Sequence, residues 1–398
     1  MKSLILKTRH IFILILFSVN LPAQTEVNTS ETNHIEMSKM TVNAYSNHTL
    51  YVKVNGSGMA FVDWGDGTLD TIIIKDNKYV DGYQKHHYYK YPNTGHTITV
   101  TGEDITKFEC YGFEATSLDI SGNSKLMYLG CGHNSLASLD ISKNVQLVEL
   151  QCHNNKLTDL DVSKNTDLKK IICHRNMLKG LDVSKNIELT DLDCASNQLR
   201  YLNISNNINL ITLNCCANEL TNLDVSINNN LKLLDCSENR LKHIDLSNNI
   251  ALTKLFLAYN QFSHIDVNKN TKLTILYCHR NKLKNIDLSK NSELAKFTCD
   301  INKLKYLDMS KNTAIIELDC AFNKLKSLDI GENSVLKRLA CHDNKLSVKT
   351  LNALFQTLHN KDIEEKYITI FDNPGAINCD ISIAENKKWR VFNKKEGY

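Results

Sequence analysis

Between Cys110 and Asn344 the chain repeats one arrangement of apolar and polar positions every 21 residues. In the stretch LVELQCHNNKLTDLDVSKN (147–165), apolar residues stand at Leu147, Leu150, Cys152, Leu157, Leu160 and Val162. The alternation Leu150, Gln151, Cys152 predicts a short strand, and Leu160, Asp161, Val162 predicts a second. No unit has an apolar stripe of helical period, and 21 residues leave little room for a strand and a full helix. Each unit therefore reads as a rung of two short strands and two turns. A single rung cannot bury its apolar face, but stacked rungs bury one another's. At a strand spacing of about 4.8 Å, about 12 rungs make a stack of roughly 55–60 Å.

The columns of this stack are informative where a residue departs from its column. Stepping by 21 from Cys110 gives cysteine at Cys131, Cys152, Cys173, Cys194, Cys215, Cys236, Cys278, Cys299, Cys320 and Cys341, and leucine at Leu257. A slot that accepts leucine takes an apolar filler, so these cysteines are expected to be free, buried thiols. Disulfides and zinc are the competing readings. Stacked side chains point in parallel, which suits neither a bridge nor converging ligands. Cys216 lies outside the column and is expected to point outward as the most reactive thiol. Three positions after each of these slots stands asparagine, as in Asn155, Asn176 and Asn197, except in the first turn, where Phe113 follows Cys110. An amide there both donates and accepts, and satisfies the backbone of a buried turn. A third column holds aspartate, as in Asp161 and Asp182, with Asn203 as its exception. That exception points to a hydrogen-bond acceptor beside serines such as Ser163, with calcium as the alternative.

The unit L-x-x-L-x-C-x-x-N-x-L resembles a leucine-rich repeat with cysteine in its third apolar slot. The second half, LDVSKN, follows the same logic, so the unit resembles the nested bacterial subtype sometimes called irreko. The resemblance covers 108–346 and implies a right-handed solenoid, internalin-like, with one rung per repeat.

The flanks differ. Lys2, Lys7 and Arg9 precede the apolar run IFILILFSVNLPAQ, which reads as a secretory signal over 1–23, followed by a polar linker over 24–35. The apolar run is too short for a membrane span. Residues 36–106 contain Trp64, Gly65, Asp66, Gly67, Tyr91, Gly95 and Val100, and resemble a PKD-like domain, a small Ig-like β-sandwich. His86, His87 and Asp66 are assigned turn and strand roles rather than a metal site. The solenoid is expected over 107–346. Beyond it, 347–398 predicts a small α/β C-terminal cap, with a helix near 348–360 and a further rung at Ile368, Ile370 and Asn373. The fold class is thus mainly β.

A formal charge of +3 over 398 residues gives no electrostatic footprint for nucleic acid or membrane. No nucleophile–base arrangement, phosphate-cradling glycine loop or C-x-x-C pair is present. The chain is therefore not expected to be an enzyme or to use a cofactor or metal. The expected role is an exported binding module, monomeric, secreted or held at the bacterial surface or periplasm. Its partner would be an extracellular protein or glycan, as in adhesion. A structural spacer or envelope-assembly role is the alternative. The candidate surface is the outward strand face on the cysteine side: Phe256 and Tyr259, then Tyr277, His279 and Arg280, with Phe322 two rungs further on. Aromatics with arginine are the residues interface hot spots use. The competing reading is isolated surface aromatics. His133, His153, His174 and His342 on the same sheet are expected to be scattered and idle.

Overall fold

The computed structural model describes residues 37–44, 50–74, 83–87, 95–331 and 333–395. The expected signal over 1–23, the linker over 24–35 and Tyr91 of the PKD-like motif lie outside the described residues.

The first described strands are β1 (Ser38–Ala44), β2 (Leu50–Asp63), β3 (Leu69–Ile74), β4 (Tyr83–His87), β5 (His96–Glu109) and β6 (Ser117–Gly122). They pair antiparallel in the order β6–β1–β5–β2, and β3 and β4 share the outer edge of β2. Period-two alternation in β1 turns Met40, Val42 and Ala44 inward. The W-G-D-G element joins β2 to β3. Trp64 is buried and its indole N–H donates to Asp70 at 3.0 Å. Gly65 has φ +76, and a Cβ there would meet the Thr97 carbonyl oxygen at 2.6 Å, so only glycine fits.

β5 runs without a break through the junction at 106/107. Its last residues, Lys107 to Glu109, pair in parallel with Tyr128–Gly130, so the N-terminal sheet and the solenoid share a strand. From there three-residue parallel strands recur at 21-residue steps, through Glu149–Gln151 and Lys170–Ile172, to Arg338–Ala340. Eleven such strands follow the end of β5 within 107–346, and Tyr367–Thr369 and Arg390–Phe392 in the C-terminal segment extend the ladder. Leu150, Ile171, Leu192 and Leu213 line the core at 0% exposure.

The expected second strand of each rung is corrected. Among the described residues only Tyr306–Asp308 and Ser327–Asp329 pair with each other as strands on that side, while the equivalent Ser117–Gly122 of the first rung pairs with β1 instead. In the other rungs the side chains of a second asparagine column take over the cross-rung bonding. Asn165, for example, donates through Nδ2 to the Ile141 and Asn144 carbonyls of the preceding rung, at 3.0 and 2.8 Å.

The C-terminal segment holds one helix of ten residues, Val348–Thr357, capped by the Ser347 hydroxyl, which accepts from Thr350 N at 3.2 Å. It buries Leu351, Leu354 and Phe355. Trp389 is buried beneath it, its indole donating to the His359 carbonyl at 3.0 Å.

Candidate functional site

Each rung presents its ladder strand with one residue outward, for example Gln151 between buried Leu150 and Cys152. Two residues beyond the cysteine the chain turns through a positive φ near +52, at Asn154, Ser196 and Tyr259 alike, and even at Ile301. This conformation is unfavourable for a side chain with a Cβ. The asparagine that follows holds it. Asn197 Nδ2 donates to the carbonyls of Cys173 (3.1 Å), Cys194 (3.1 Å) and Ala195 (3.2 Å), while its Oδ1 accepts from Leu178 N (3.0 Å). Asn176 and Asn155, one and two rungs earlier, likewise donate to the cysteine carbonyls of their own and the preceding rung and accept from Leu157 N and Leu136 N.

The cysteines of the column, Cys152, Cys173 and Cys194 among them, are free and fully buried. Burial pushes their thiols well above the usual range. They are fillers of a narrow slot. Accordingly, Cys194→Val costs less than about 1.5 kcal/mol, because volume and polarity are nearly kept. Equilibrium unfolding in denaturant checks this, and a thiol reagent should label the column only after unfolding. Cys216 is half-buried rather than fully buried like the column thiols, and burial, followed by Asp235 and Glu238, pushes its thiol up to about 12. At neutral pH it is almost wholly protonated and a poor nucleophile.

The aspartate column works as local turn acceptors. Asp161 Oδ1 accepts from Ser163 N at 2.8 Å and Asp182 Oδ1 from Ser184 N at 2.9 Å. Asn203 does the same for Ser205 N at 3.0 Å, which is why the charge is dispensable there. Among the described residues no group of three His, Cys, Asp or Glu side chains is placed to hold a metal ion. At the W-G-D-G turn, His87 Nε2 lies 2.7 Å from Asp66 and its ring stacks on Trp64 at 4.8 Å. His86 instead tilts against Tyr51.

The sequence-predicted aromatic cluster divides in two. Phe256 and Tyr277 are in register on neighbouring strands, and their rings meet edge-on at 5.2 Å. His279 joins them, 6.4 Å from Tyr277 and 5.4 Å from Tyr259. The Arg280 guanidinium sits 4.9 Å over the Tyr259 ring. These five side chains form one patch. Phe322 belongs to another. It meets His342 edge-on at 5.2 Å, and His342 stacks on Phe371 of the C-terminal segment at 4.2 Å. Tyr259 and Phe322 are 46% and 48% exposed, because both occupy the outward left-handed turn position.

Three of the four histidines read as scattered are not, while His342 lies apart from them against Phe322 and Phe371. His133, His153 and His174 form a contiguous row, with ring separations of 5.0 and 4.7 Å, and His174 Nδ1 meets Asp193 at 3.0 Å. Gly132 makes room for it: a Cβ there would lie 2.7 Å from the His153 ring. The 21-residue step from His153 to His174 was a visible signal of this contact. Burial, then the neighbouring His174 and His133, bring His153 down to about 4. Burial also lowers His279 and His342. The folded state thus binds fewer protons than the unfolded one between about pH 6.5 and about pH 4, so unfolding takes up protons and stability falls as pH falls through that window. Melting temperatures measured across it should decline, and His153→Asn should remove part of the decline.

No protein-family model matches the chain, and no curated protein matches it. Solved structures do. The functional domain of InlJ from Listeria monocytogenes, described as including a cysteine ladder, is 31% identical, with 74% of this chain and 70% of that one aligned at a TM-score of 0.63. An internalin (InlF) of the same species is 17% identical over 73% of this chain and 87% of that chain, TM-score 0.55. A leucine-rich-repeat protein of Leptospira interrogans is 21% identical over 68% and 79%, TM-score 0.54. The fold is therefore that of a leucine-rich-repeat solenoid. Within that class, the chain belongs to the internalin-like leucine-rich-repeat proteins. Among the described residues no helix is long and apolar enough to cross a membrane.

Proposed function

We propose that this protein is an exported, non-enzymatic binding module of the nested 21-residue repeat subtype, secreted or held at the cell surface. It acts as a monomer that engages an extracellular protein or glycan through the outward face of its strand ladder, in an adhesive role. We read the N-terminal sheet as its PKD-like portion. The observation that carries the reading is the patch of Phe256, Tyr277, His279, Tyr259 and Arg280, in which aromatic rings from successive rungs touch one another on the ladder's outward face. Contiguous aromatic surface in water marks an interaction site more often than single exposed aromatics do. Solenoids of the same fold support a binding role in general. A plant peptide hormone receptor, RGFR1, was solved in complex with RGF2, at 20% identity.

The test is a screen of displayed extracellular proteins and a glycan array with the mature chain, run in parallel with the Phe256→Ser/Tyr277→Ser variant. Ligands that bind the wild type and are lost with the variant support the reading. A full set of ligands that bind both equally overturns it.

A further inference from the structure

The outward column that contains Phe256 and Tyr277 continues in both directions along the ladder. In register it runs Asp235, Phe256, Tyr277, Thr298, Asp319. Asp300 follows two residues after Thr298 and interacts with Asp319. The aromatic pair is therefore flanked by carboxylates at both ends.

Asp235 and Asp319 are held by backbone amides, and of the three only Asp300 feels a nearby fixed cation, Arg280, without a close ion pair to it. Asp235 accepts from Ser237 N at 2.9 Å and Asp319 from Ala321 N at 3.1 Å, which fixes one oxygen of each. The bases along the parallel edge of the ladder are taken by glutamates instead. Lys170 pairs with Glu149 at 2.9 Å, and Lys296 and Arg338 pair with Glu317 at 3.2 and 3.5 Å. Arg280 lies over Tyr259 at the rim. No ion pair within 4.0 Å involves Asp235, Asp300 or Asp319 among the described residues. All three are half-buried, and burial raises their carboxyls above the ordinary range, the reverse of what a paired carboxylate shows. His279, facing the same patch, is shifted toward its neutral form by burial. A cation arriving here would meet pre-placed acceptors beside ring faces, which favour positive charge.

We propose that the partner is a protein presenting an extended basic segment, whose apolar stems lie across Phe256 and Tyr277 and whose lysine or arginine side chains reach Asp235 at one end and Asp319 with Asp300 at the other. This rests on reading that face as the binding surface. Four ladder steps of about 4.8 Å separate Asp235 from Asp319, roughly 19 Å, so an extended chain rising about 3.3 Å per residue places its two basic residues about six positions apart. The carboxylates outnumber the single exposed guanidinium at the patch, Arg280, so the face favours a cationic over an acidic partner.

The experiment selects a displayed library of random peptides, and separately a glycan array, against the full chain. Hits are re-measured on Phe256→Ser/Tyr277→Ser and on Asp235→Asn/Asp319→Asn. The second variant keeps the turn acceptor, as native Asn214 shows in the same column by accepting from Cys216 N at 3.2 Å. Unchanged melting temperatures confirm that both variants fold. The expected result is enrichment of peptides with paired basic residues. Their affinity should weaken with added salt and fall about tenfold or more, about 1.4 kcal/mol, in each variant. If the patch-dependent hits are glycans, or acidic or neutral peptides indifferent to Asp235→Asn/Asp319→Asn, the basic-segment inference is overturned while the binding face stands. If no hit from either screen depends on Phe256 and Tyr277, both fall.

Discussion

Replacing Asn197 by leucine lowers the folding stability by roughly 1–3 kcal/mol, a large share of the margin most domains possess. The cost is specific in origin. The carbonyls that receive the Asn197 amide keep other donors. Cys173 O still accepts from Asn176 Nδ2, Cys194 O from Asn218 Nδ2, and Ala195 O from Arg175 N. Leu178 N has Asn197 Oδ1 as its acceptor and, in a buried rung, loses it outright. An orphaned buried donor is the expensive case, whereas doubly bonded acceptors tolerate the loss of one partner. The side chain is also 8% exposed between packed rungs, so the branched leucine adds crowding. Thermal or denaturant unfolding gives the magnitude. Hydrogen exchange gives the location: protection at Leu178 should fall more than protection in rungs remote from 197, since solenoid rungs couple mainly to their neighbours. A loss no greater than that of Cys194→Val would mean that the asparagine column is not what holds the left-handed turn.

Phe256→Ser combined with Tyr277→Ser weakens binding of the cognate partner by about tenfold or more, equivalent to about 1.4 kcal/mol. Two aromatic anchors at the centre of an interface commonly exceed that figure, at about 2 kcal/mol each when truncated. Here the rings support each other edge-on at 5.2 Å, so removing both avoids leaving one ring free to shift into the gap. Folding should survive. The buried neighbours Leu255, Leu257, Leu276 and Cys278 form the core at 0% exposure, and the two substituted side chains point the other way. Titration of a screened ligand against both proteins, with melting temperatures alongside, checks the effect. Equal affinity with equal melting temperature would place the ligand on another face.

Much of the candidate site was legible because the repeat fixes which side chains share a face. Phe256 and Tyr277 are 21 residues apart, and the ladder register pairs them. Phe322 could not be assigned in this way. Its partner is His342, one rung on, which in turn stacks on Phe371 from a segment that has left the 21-residue step. The histidine row was missed for a different reason. His133 sits in the turn column and His153 in the one before it, so no single column contains both, and Gly132 leaves the space in which they meet.

The sequence by itself determined the rung, its period, the buried leucine and cysteine columns and the asparagine that satisfies each turn, because all of these follow from which residues recur at a fixed step. It also placed a helix near 348–360 from local apolar spacing, and the structure has one at Val348–Thr357. Only the tertiary structure decided which half of each rung becomes strand. Leu150–Cys152 and Leu160–Val162 alternate alike, but strand pairing depends on how closely consecutive backbones approach, and that distance is a property of stacked rungs rather than of any one. On the first side Cys152 N reaches the Ile172 carbonyl at 2.9 Å and continues the backbone ladder. On the second, the Asn165 amide makes the connection, so alternation there yields an extended segment without a sheet. The same holds for charge. Sequence counts balanced acids and bases, but the geometry assigns the bases to Glu149 and Glu317 and leaves Asp235 and Asp319 beside the aromatic pair, because an ion pair forms by reach across rungs and not by composition.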